Sequence, residues 1–123
     1  MLVRLFVLPL VAAVGLVLSG GAVNSADAAT VCAGRPAETV KFKTGELRVY
    51  KSRSYACAVA VAKKPGPRRK MSVLIQARGG SPVVDSGTYA KQAGPVTVHA
   101  LNRCVRATAT ISGKSGTTGW TLC

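Results

Sequence analysis

Apolar and polar residues alternate along most of the chain after residue 37, a period of two that is typical of β-strands with one buried face. The alternation predicts strands at 38–43, 47–52, 71–78, 96–101 and 104–112, and shorter ones at 83–84, 88–90 and 120–123. Gly, Pro, Asn and Ser separate these segments at nearly regular intervals, and no segment has convincing helical periodicity. The pattern predicts an all-β fold, a small antiparallel β-sandwich or barrel of about seven or eight strands.

The segment 55–62 (YACAVAVA) differs from the other strands because it is apolar on both faces. Tyr55, Cys57, Val59 and Val61 would share one face, and four alanines the other. An alanine-rich buried helix is the alternative, but the two β-branched valines and the short length favour a strand. We interpret the segment as a central strand enclosed between two layers.

Four segments rich in Gly, Pro, Ser or Thr are interpreted as connections between strands. The Pro-Gly-Pro sequence within 63–70 (KKPGPRRK) cannot continue a strand ladder, so this segment is predicted to be an exposed hairpin loop. The residues 85–87 (DSG) are predicted to form a turn, 92–95 to lead into the next strand, and 113–119 to form a Gly/Ser/Thr connection.

The first 28 residues have the three parts of a secretory signal peptide. Arg4 supplies the charged start, 5–18 forms an apolar run of the length of an h-region, and 26–28 (ADA) is a small-x-small cleavage site. The apolar run is shorter than the roughly 20 residues that a membrane-spanning helix needs. We therefore expect residues 1–28 to be removed, and 29–123 to form a single secreted β-domain, extracellular or associated with the cell wall, with no integral membrane association.

Four cysteines, Cys32, Cys57, Cys104 and Cys123, all lie in the predicted mature domain. An even number in an exported chain indicates two disulfides, and the gaps of 25, 47 and 19 residues lack the close pairs of a four-cysteine zinc site. Four cysteines allow three pairings, which the sequence leaves open, and we favour Cys32–Cys57 with Cys104–Cys123. Trp120, three residues before the last cysteine, is expected to pack over a disulfide.

The predicted mature domain is strongly basic. Removal of the signal peptide takes away Arg4 and Asp27, which leaves 16 Lys and Arg residues against 3 acids, a formal charge of +13. The three acids are Glu38, Glu46 and Asp85. A domain with this charge attracts polyanions of any kind at low salt, such as wall polymers, anionic headgroups, nucleic acid or acidic polysaccharide.

Residues that support catalysis or hold a metal are scarce in the predicted mature domain. His99 is the only histidine, and we interpret it as a strand surface residue with no chemical role. The sequence contains no serine-nucleophile motif and no phosphate-binding glycine loop, and three scattered acids do not make a carboxylate pair or a hard-cation site. We expect no enzymatic activity, no metal and no cofactor.

Two phrases of the sequence resemble a known class of domain. Residues 85–89 (DSGTY), followed by 93–98 (AGPVTV), are similar to late strands of bacterial secreted β-sandwich accessory domains such as pre-peptidase C-terminal domains. The acidic calcium ligands of some of those domains have no counterpart in this chain. Taken whole, the chain is similar to small four-cysteine secreted proteins of actinobacteria. The resemblance implies a secreted β-fold and implies no particular function.

The densest cluster of charge is the segment 63–70. Its five cations, Lys63, Lys64, Arg68, Arg69 and Lys70, flank the Pro-Gly-Pro corner, which limits the freedom of the loop. A stiff loop loses less entropy when it binds, so these five residues are the predicted polyanion site. The simpler interpretation is a solvated hairpin tip whose charges keep the protein soluble and block edge-to-edge association.

The predicted function is that of a non-catalytic secreted module that binds an anionic polymer or envelope surface, such as cell wall, acidic polysaccharide or nucleic acid. One alternative is an inhibitor that offers Arg68 or Arg69 to a trypsin-like protease, although the closest cysteine, Cys57, lies six residues before the cluster. The other is a small secreted ribonuclease that uses His99. The sequence identifies neither the ligand nor a protein partner.

Overall fold

The computed structural model describes residues 32–123, so the signal peptide predicted for 1–28 lies outside the described residues. The described part of the chain forms eight β-strands and no helix: β1 Glu38–Phe42, β2 Gly45–Lys51, β3 Tyr55–Ala62, β4 Arg69–Ala77, β5 Val83–Tyr89, β6 Gln92–His99, β7 Val105–Ile111 and β8 Lys114–Thr117. A search of these residues for a helix long and apolar enough to cross a membrane finds none.

The strands form two four-stranded antiparallel sheets. Sheet A has the order β1-β2-β3-β6, and sheet B has the order β5-β4-β7-β8. The two sheets pack face to face, with β4 against β6 and β3 against β4 and β7. The predicted all-β fold is therefore confirmed, in the form of a sandwich.

The core is built by the residues that the alternation predicted to point inward. In β7, Val105, Ala107, Ala109 and Ile111 are all fully buried, while Arg106 between them is exposed. The same alternation holds in β4, where every second residue from Met71 to Ala77 is buried. The core contains no buried polar or charged residue among those described, so apolar burial between the sheets is its main stabilising term.

The strand β3 lies between two neighbours in sheet A but is not enclosed between two layers, which corrects the sequence-based interpretation. Its four alanines all face sheet B and are buried. On its other face, Tyr55 is 52% exposed, Cys57 and Val61 are half-buried, and Val59 is buried but does not belong to the core cluster. The small alanine side chains let the two sheets approach closely, which is why the alanine face, and not the valine face, forms the core.

Two strands occupy segments that were predicted to be connections. Asp85, Ser86 and Gly87 lie inside β5, paired with β4, so the predicted turn at 85–87 is wrong. The predicted connection at 113–119 contains β8. In both cases glycine serves packing: a Cβ on Gly116 would lie 2.7 Å from the ring of Phe42, which closes over β8.

The strand boundaries differ from prediction at two further places. β6 begins at Gln92, because 92–93 already pair with β3 on the far side of a register shift between Ala58 and Ala60. Of the predicted last strand at 120–123, only Thr121 pairs, in an isolated bridge to Val105. Strand propensity did not predict either boundary. The early start of β6 depends on an irregular register, and the pairing of Thr121 depends on a single pair of hydrogen bonds.

A carboxylate joins the two sheets along one edge of the sandwich, where β5 and β6 lie side by side. The Asp85 carboxylate accepts hydrogen bonds from the Gly94 backbone N–H at 2.7 Å and from the Tyr89 hydroxyl at 2.6 Å. At the other edge, the Thr121 hydroxyl donates to Glu38 at 2.8 Å. These contacts hold the edge strands of different sheets together.

Both disulfides form with the favoured pairing, Cys32–Cys57 and Cys104–Cys123. The first ties the segment before β1 to the outward face of β3, and the second ties residues 118–123 to the start of β7. No cysteine in the described part of the chain is free. Bonds of this kind persist in oxidising compartments, which indicates an extracellular or similarly oxidising environment.

We expect Asp85→Ala to lower the free energy of unfolding by about 2 kcal/mol, because the Gly94 N–H loses a charged acceptor. The hydrogen bond to Asp85 raises the pKa of Tyr89 above its ordinary value of 10.0, so the substitution should also return this pKa towards 10.0. The neutral phenol is the favoured form in the fold. The stability that the Tyr89–Asp85 hydrogen bond contributes to the fold is therefore complete below about pH 10, and it is lost as the pH rises through the raised pKa of Tyr89.

Urea unfolding and the alkaline titration of tyrosinate absorbance measure these two effects. Ser86→Ala is the matched control, because Ser86 is the exposed neighbour on the same strand. Equal stability and an equal tyrosine titration in the two variants would contradict the proposed role of Asp85.

Candidate anion-binding site

Every second connection of the chain lies at the same end of the sandwich, because successive strands run in opposite directions. The connections at 43–44, 63–68, 90–91 and 112–113 meet at this end. Hydrogen bonds join them: Lys63 N–H donates to the Thr44 carbonyl at 2.9 Å, Gly66 N–H to Ala90 at 3.3 Å, and the Thr44 hydroxyl to the Ile111 carbonyl at 2.9 Å. We call the end of the molecule formed by these four connections the basic end.

Eight of the sixteen cations in residues 32–123 lie in these four connections or in the first two residues of the strands that follow them. They are Lys43, Lys63, Lys64, Arg68, Arg69, Lys70, Lys91 and Lys114. None of the three acids lies in these connections, and only Glu46, the second residue of β2, lies in the same margin beside them. Glu46 is paired with Arg48 on sheet A and raises the pKa of that guanidinium, Glu38 lies at the start of β1, and Asp85 holds the β5–β6 edge.

The segment that connects β3 with β4 is a crossover from sheet A to sheet B, and not a hairpin as the sequence predicted. β3 and β4 lie in opposite layers and make no ladder with each other. The residues 63–68 therefore bridge the two layers, and Arg69 and Lys70 already belong to β4. The five predicted site residues span both sheets at this end.

Of those five residues, Lys63, Lys64, Arg68 and Lys70 are exposed and Arg69 is half-buried. Arg69 donates from Nε to the Pro67 carbonyl at 3.1 Å and from Nη2 to the Lys64 carbonyl at 2.9 Å. Its guanidinium thus holds both sides of the loop. Arg68 donates from Nη2 to the Thr88 carbonyl at 2.8 Å, which ties the loop to β5. The two arginines position the loop, and the lysines are its exposed charges.

Three lysines outside the predicted segment complete the basic end. Lys43 lies in the β1–β2 turn, Lys91 in the β5–β6 turn, and Lys114 begins β8. Sequence analysis missed them because they are far from 63–70 along the chain. The order of the predicted strands would have found them. The first, third, fifth and seventh connections of an antiparallel sandwich lie at one end, and each of these lysines lies in or beside one of those connections.

A surface groove of about 270 Å³ is lined by Lys43, Thr44, Lys63, Lys64 and Arg69. It brings lysine side chains from two connections to one depression. Five lysines at this end, Lys43, Lys63, Lys64, Lys70 and Lys91, make no side-chain hydrogen bond or ion pair within residues 32–123. Their ammonium groups are therefore available to an external anion.

The remaining candidates for chemistry do not assemble into a catalytic group. His99 is exposed at the end of β6, and its ring meets the Tyr55 ring edge-on at 5.2 Å. Among the described residues, no three His, Cys, Asp or Glu side chains lie close enough together to hold a metal ion. The arrangement that this part of the molecule offers is a set of positive charges on a braced end of a rigid sandwich.

Comparisons of the chain with protein-family models, with curated proteins and with solved structures found no match. The resemblance of 85–89 and 93–98 to pre-peptidase C-terminal domains stays a prediction.

Proposed function

We propose that this protein is a secreted, non-catalytic module that binds an anionic polymer of the cell envelope through its basic end. The observation that carries the proposal is the convergence of eight cations from four connections on one end, where the one nearby acid, Glu46, is paired with Arg48. The two disulfides support a location outside the cell, and so does the signal peptide predicted for residues 1–28.

Binding to a polyanion by such an end is mainly electrostatic. Each lysine that meets an anionic group releases a condensed counterion, so the affinity depends steeply on salt. The hydrogen bonds of Arg68 and Arg69 fix the loop before binding, which reduces the conformational entropy lost in the complex. No step of this function requires a bond to be made or broken.

The same hydrogen bonds favour polymer binding over protease inhibition. An inhibitor would extend Arg68 or Arg69 into a specificity pocket, whereas both guanidiniums are engaged with carbonyls of this chain. The loop is also not braced by a disulfide, since Cys57 is bonded to Cys32 on sheet A. A ribonuclease would need a second acid–base group near His99, and within residues 32–123 the ring of this histidine contacts Tyr55 and forms no ion pair.

The test is the binding of the folded, oxidised protein to purified cell wall, inorganic polyphosphate, acidic polysaccharide and a neutral polysaccharide over a range of salt concentrations. We expect binding to the anionic polymers, with log affinity falling linearly as log salt rises. Binding to the neutral polysaccharide of equal strength, or affinity that salt does not change, would overturn the proposal.

A further inference from the structure

The outward face of sheet B forms an uncharged strip that starts at the basic end. Its central rows consist of hydroxyl-bearing and small apolar side chains in register across the strands. They are Ser72, Ser86, Thr88, Thr108, Thr110, Ser115 and Thr117, with Leu74 and Val84. A depression of about 430 Å³ lies over the part of this strip next to the basic end, and Lys70, Ser72, Ser86 and Thr110 are among the residues that line it.

The opposite end of the strip carries a second group of cations around the single tryptophan. The guanidiniums of Arg78 and Arg106 lie 5.2 and 5.0 Å from the Trp120 ring centre, and the indole remains 39% exposed. Arg106 also donates to the Gln76 side chain at 3.0 Å. Arginine stacked on an aromatic ring keeps its N–H groups free for an anion while its flat face is held.

The ring contacts of Trp120 are with these two guanidiniums, and its expected packing over a disulfide stays a prediction. Arg103 adds a third guanidinium close by, with Nη1 3.5 Å from the Arg78 carbonyl. We call Arg78, Arg103, Arg106 and Trp120 the arginine–tryptophan cluster.

One strand connects the two cationic ends. The outward residues of β4 and its extension run from Lys70 through Ser72, Leu74 and Gln76 to Arg78. At about 3.3 Å per residue, Lys70 and Arg78 are about 26 Å apart. No acid interrupts the path, because Glu38 and Glu46 belong to sheet A and Asp85 points towards Gly94 at the sandwich edge.

We propose that a linear polyol-phosphate polymer lies along the outward face of sheet B, held by the basic end at one terminus of the path and by the arginine–tryptophan cluster at the other. The inference rests on the proposed function and names the polymer class. Cations at both ends match phosphate groups, and the hydroxyl rows between them match the hydroxyl groups of a polyol backbone.

The face favours a polyol phosphate over single-stranded nucleic acid because it carries no row of aromatic side chains. Recognition of single strands relies on stacking of successive bases on aromatic rings. Here Trp120 alone projects near the path, with serine, threonine, leucine and valine between the two ends. Hydroxyl side chains hydrogen-bond to phosphate and hydroxyl oxygens and do not stack on bases.

The experiment titrates the oxidised protein with glycerol-phosphate oligomers whose extended lengths run from below to well above about 26 Å. Emission of Trp120, the only tryptophan, reports on the cluster. We expect affinity to rise by about a hundredfold once the oligomer spans both ends, because the second contact becomes intramolecular. We expect the Trp120 emission to change only with those longer oligomers.

Arg78→Gln/Arg106→Gln should remove the step in affinity and leave the weaker, salt-dependent binding of short oligomers. Arg35→Gln/Arg53→Gln is the matched control, because it removes two exposed cations away from the strip and should retain the step. Thermal unfolding of both variants verifies that the fold is intact.

A smooth rise of affinity with length, unchanged Trp120 emission and equal behaviour of the two variants would overturn the inference and leave the proposed function standing. An equal step with oligodeoxythymidylate would overturn the choice of a polyol phosphate. Absence of binding to every oligomer and polymer would overturn the proposed function and the inference together.

Discussion

Replacing Lys43, Lys63, Lys64, Lys70 and Lys91 together with glutamine should weaken binding to inorganic polyphosphate at least about a hundredfold at an ionic strength near 0.1 M. A lysine beside a dense anionic surface contributes about 1 kcal/mol, and even partial additivity over five residues gives this factor. The substitutions spare Arg68 and Arg69, because their hydrogen bonds hold the 63–68 loop. Folding should be nearly unchanged, since exposed charges contribute little to stability.

The dependence on salt should change with the affinity. For a linear polyanion, the slope of log affinity against log salt becomes shallower by about 0.7 for each anionic group that the protein no longer neutralises. Five lost contacts therefore predict a slope shallower by about 3 to 4. Isothermal titration at several salt concentrations measures both quantities on the same preparations.

A second variant separates local charge from net charge. Arg35, Lys51 and Arg53 lie away from both the basic end and the arginine–tryptophan cluster, and replacing them with glutamine removes three charges. This control should weaken binding by less than about tenfold, because only the long-range attraction falls. If the control loses as much affinity per charge removed as the five-lysine variant does, only net charge matters, and the lysines of the basic end are solvated surface residues.

The alternation of apolar residues was enough to predict the core and most of the strands. Wherever one face is buried, a strand needs a side chain of the right kind at every second position, so Val105, Ala107, Ala109 and Ile111 identify β7 directly. The disulfide pairing was also favoured correctly. Neighbouring cysteines in the sequence end up on adjacent elements in a fold whose connections are short.

The errors came from residues whose role depends on a partner distant in sequence. Gly116 reads as a loop residue until Phe42 of β1 is seen to lie over it. Asp85 and Gly87 are typical turn residues, and the sequence alone does not show that the Tyr89 hydroxyl donates to the Asp85 carboxylate within a strand. The crossover from β3 to β4 was taken for a hairpin because local sequence does not say to which sheet the next strand belongs.

For the candidate site, the sequence identified the dense segment 63–70. It did not show which other cations lie near this segment, or that the arginines hold the loop while the lysines stay unpaired. Local density of charge cannot show that Lys43 and Lys91 join the loop from other connections. Nor can it show that Arg69 binds its own loop. Both follow from topology: an antiparallel sandwich gathers alternate connections at one end, and a crossover loop needs internal support.

Removal of the Cys104–Cys123 bond should cost about 3 kcal/mol of unfolding free energy, because the reduced chain regains the entropy of a 19-residue loop. For a domain of this size, such a loss lowers the midpoint of thermal unfolding by roughly 12–24 °C. The bond also helps to anchor residues 118–123, together with the Val105–Thr121 bridge, the Thr121–Glu38 hydrogen bond and the packing of Leu122 against the core. Trp120 should therefore become more exposed in Cys104→Ala/Cys123→Ala.

The matched variant is Cys32→Ala/Cys57→Ala, which opens a 25-residue loop and should cost about the same free energy. The two variants should nevertheless differ in binding. Loss of Cys104–Cys123 releases the arginine–tryptophan cluster and should abolish the affinity step for long glycerol-phosphate oligomers, whereas loss of Cys32–Cys57 affects sheet A and should leave it. Scanning calorimetry and Trp120 quenching by iodide measure stability and exposure. Equal quenching in the two variants, with the step retained in both, would show that the disulfide does not position Trp120.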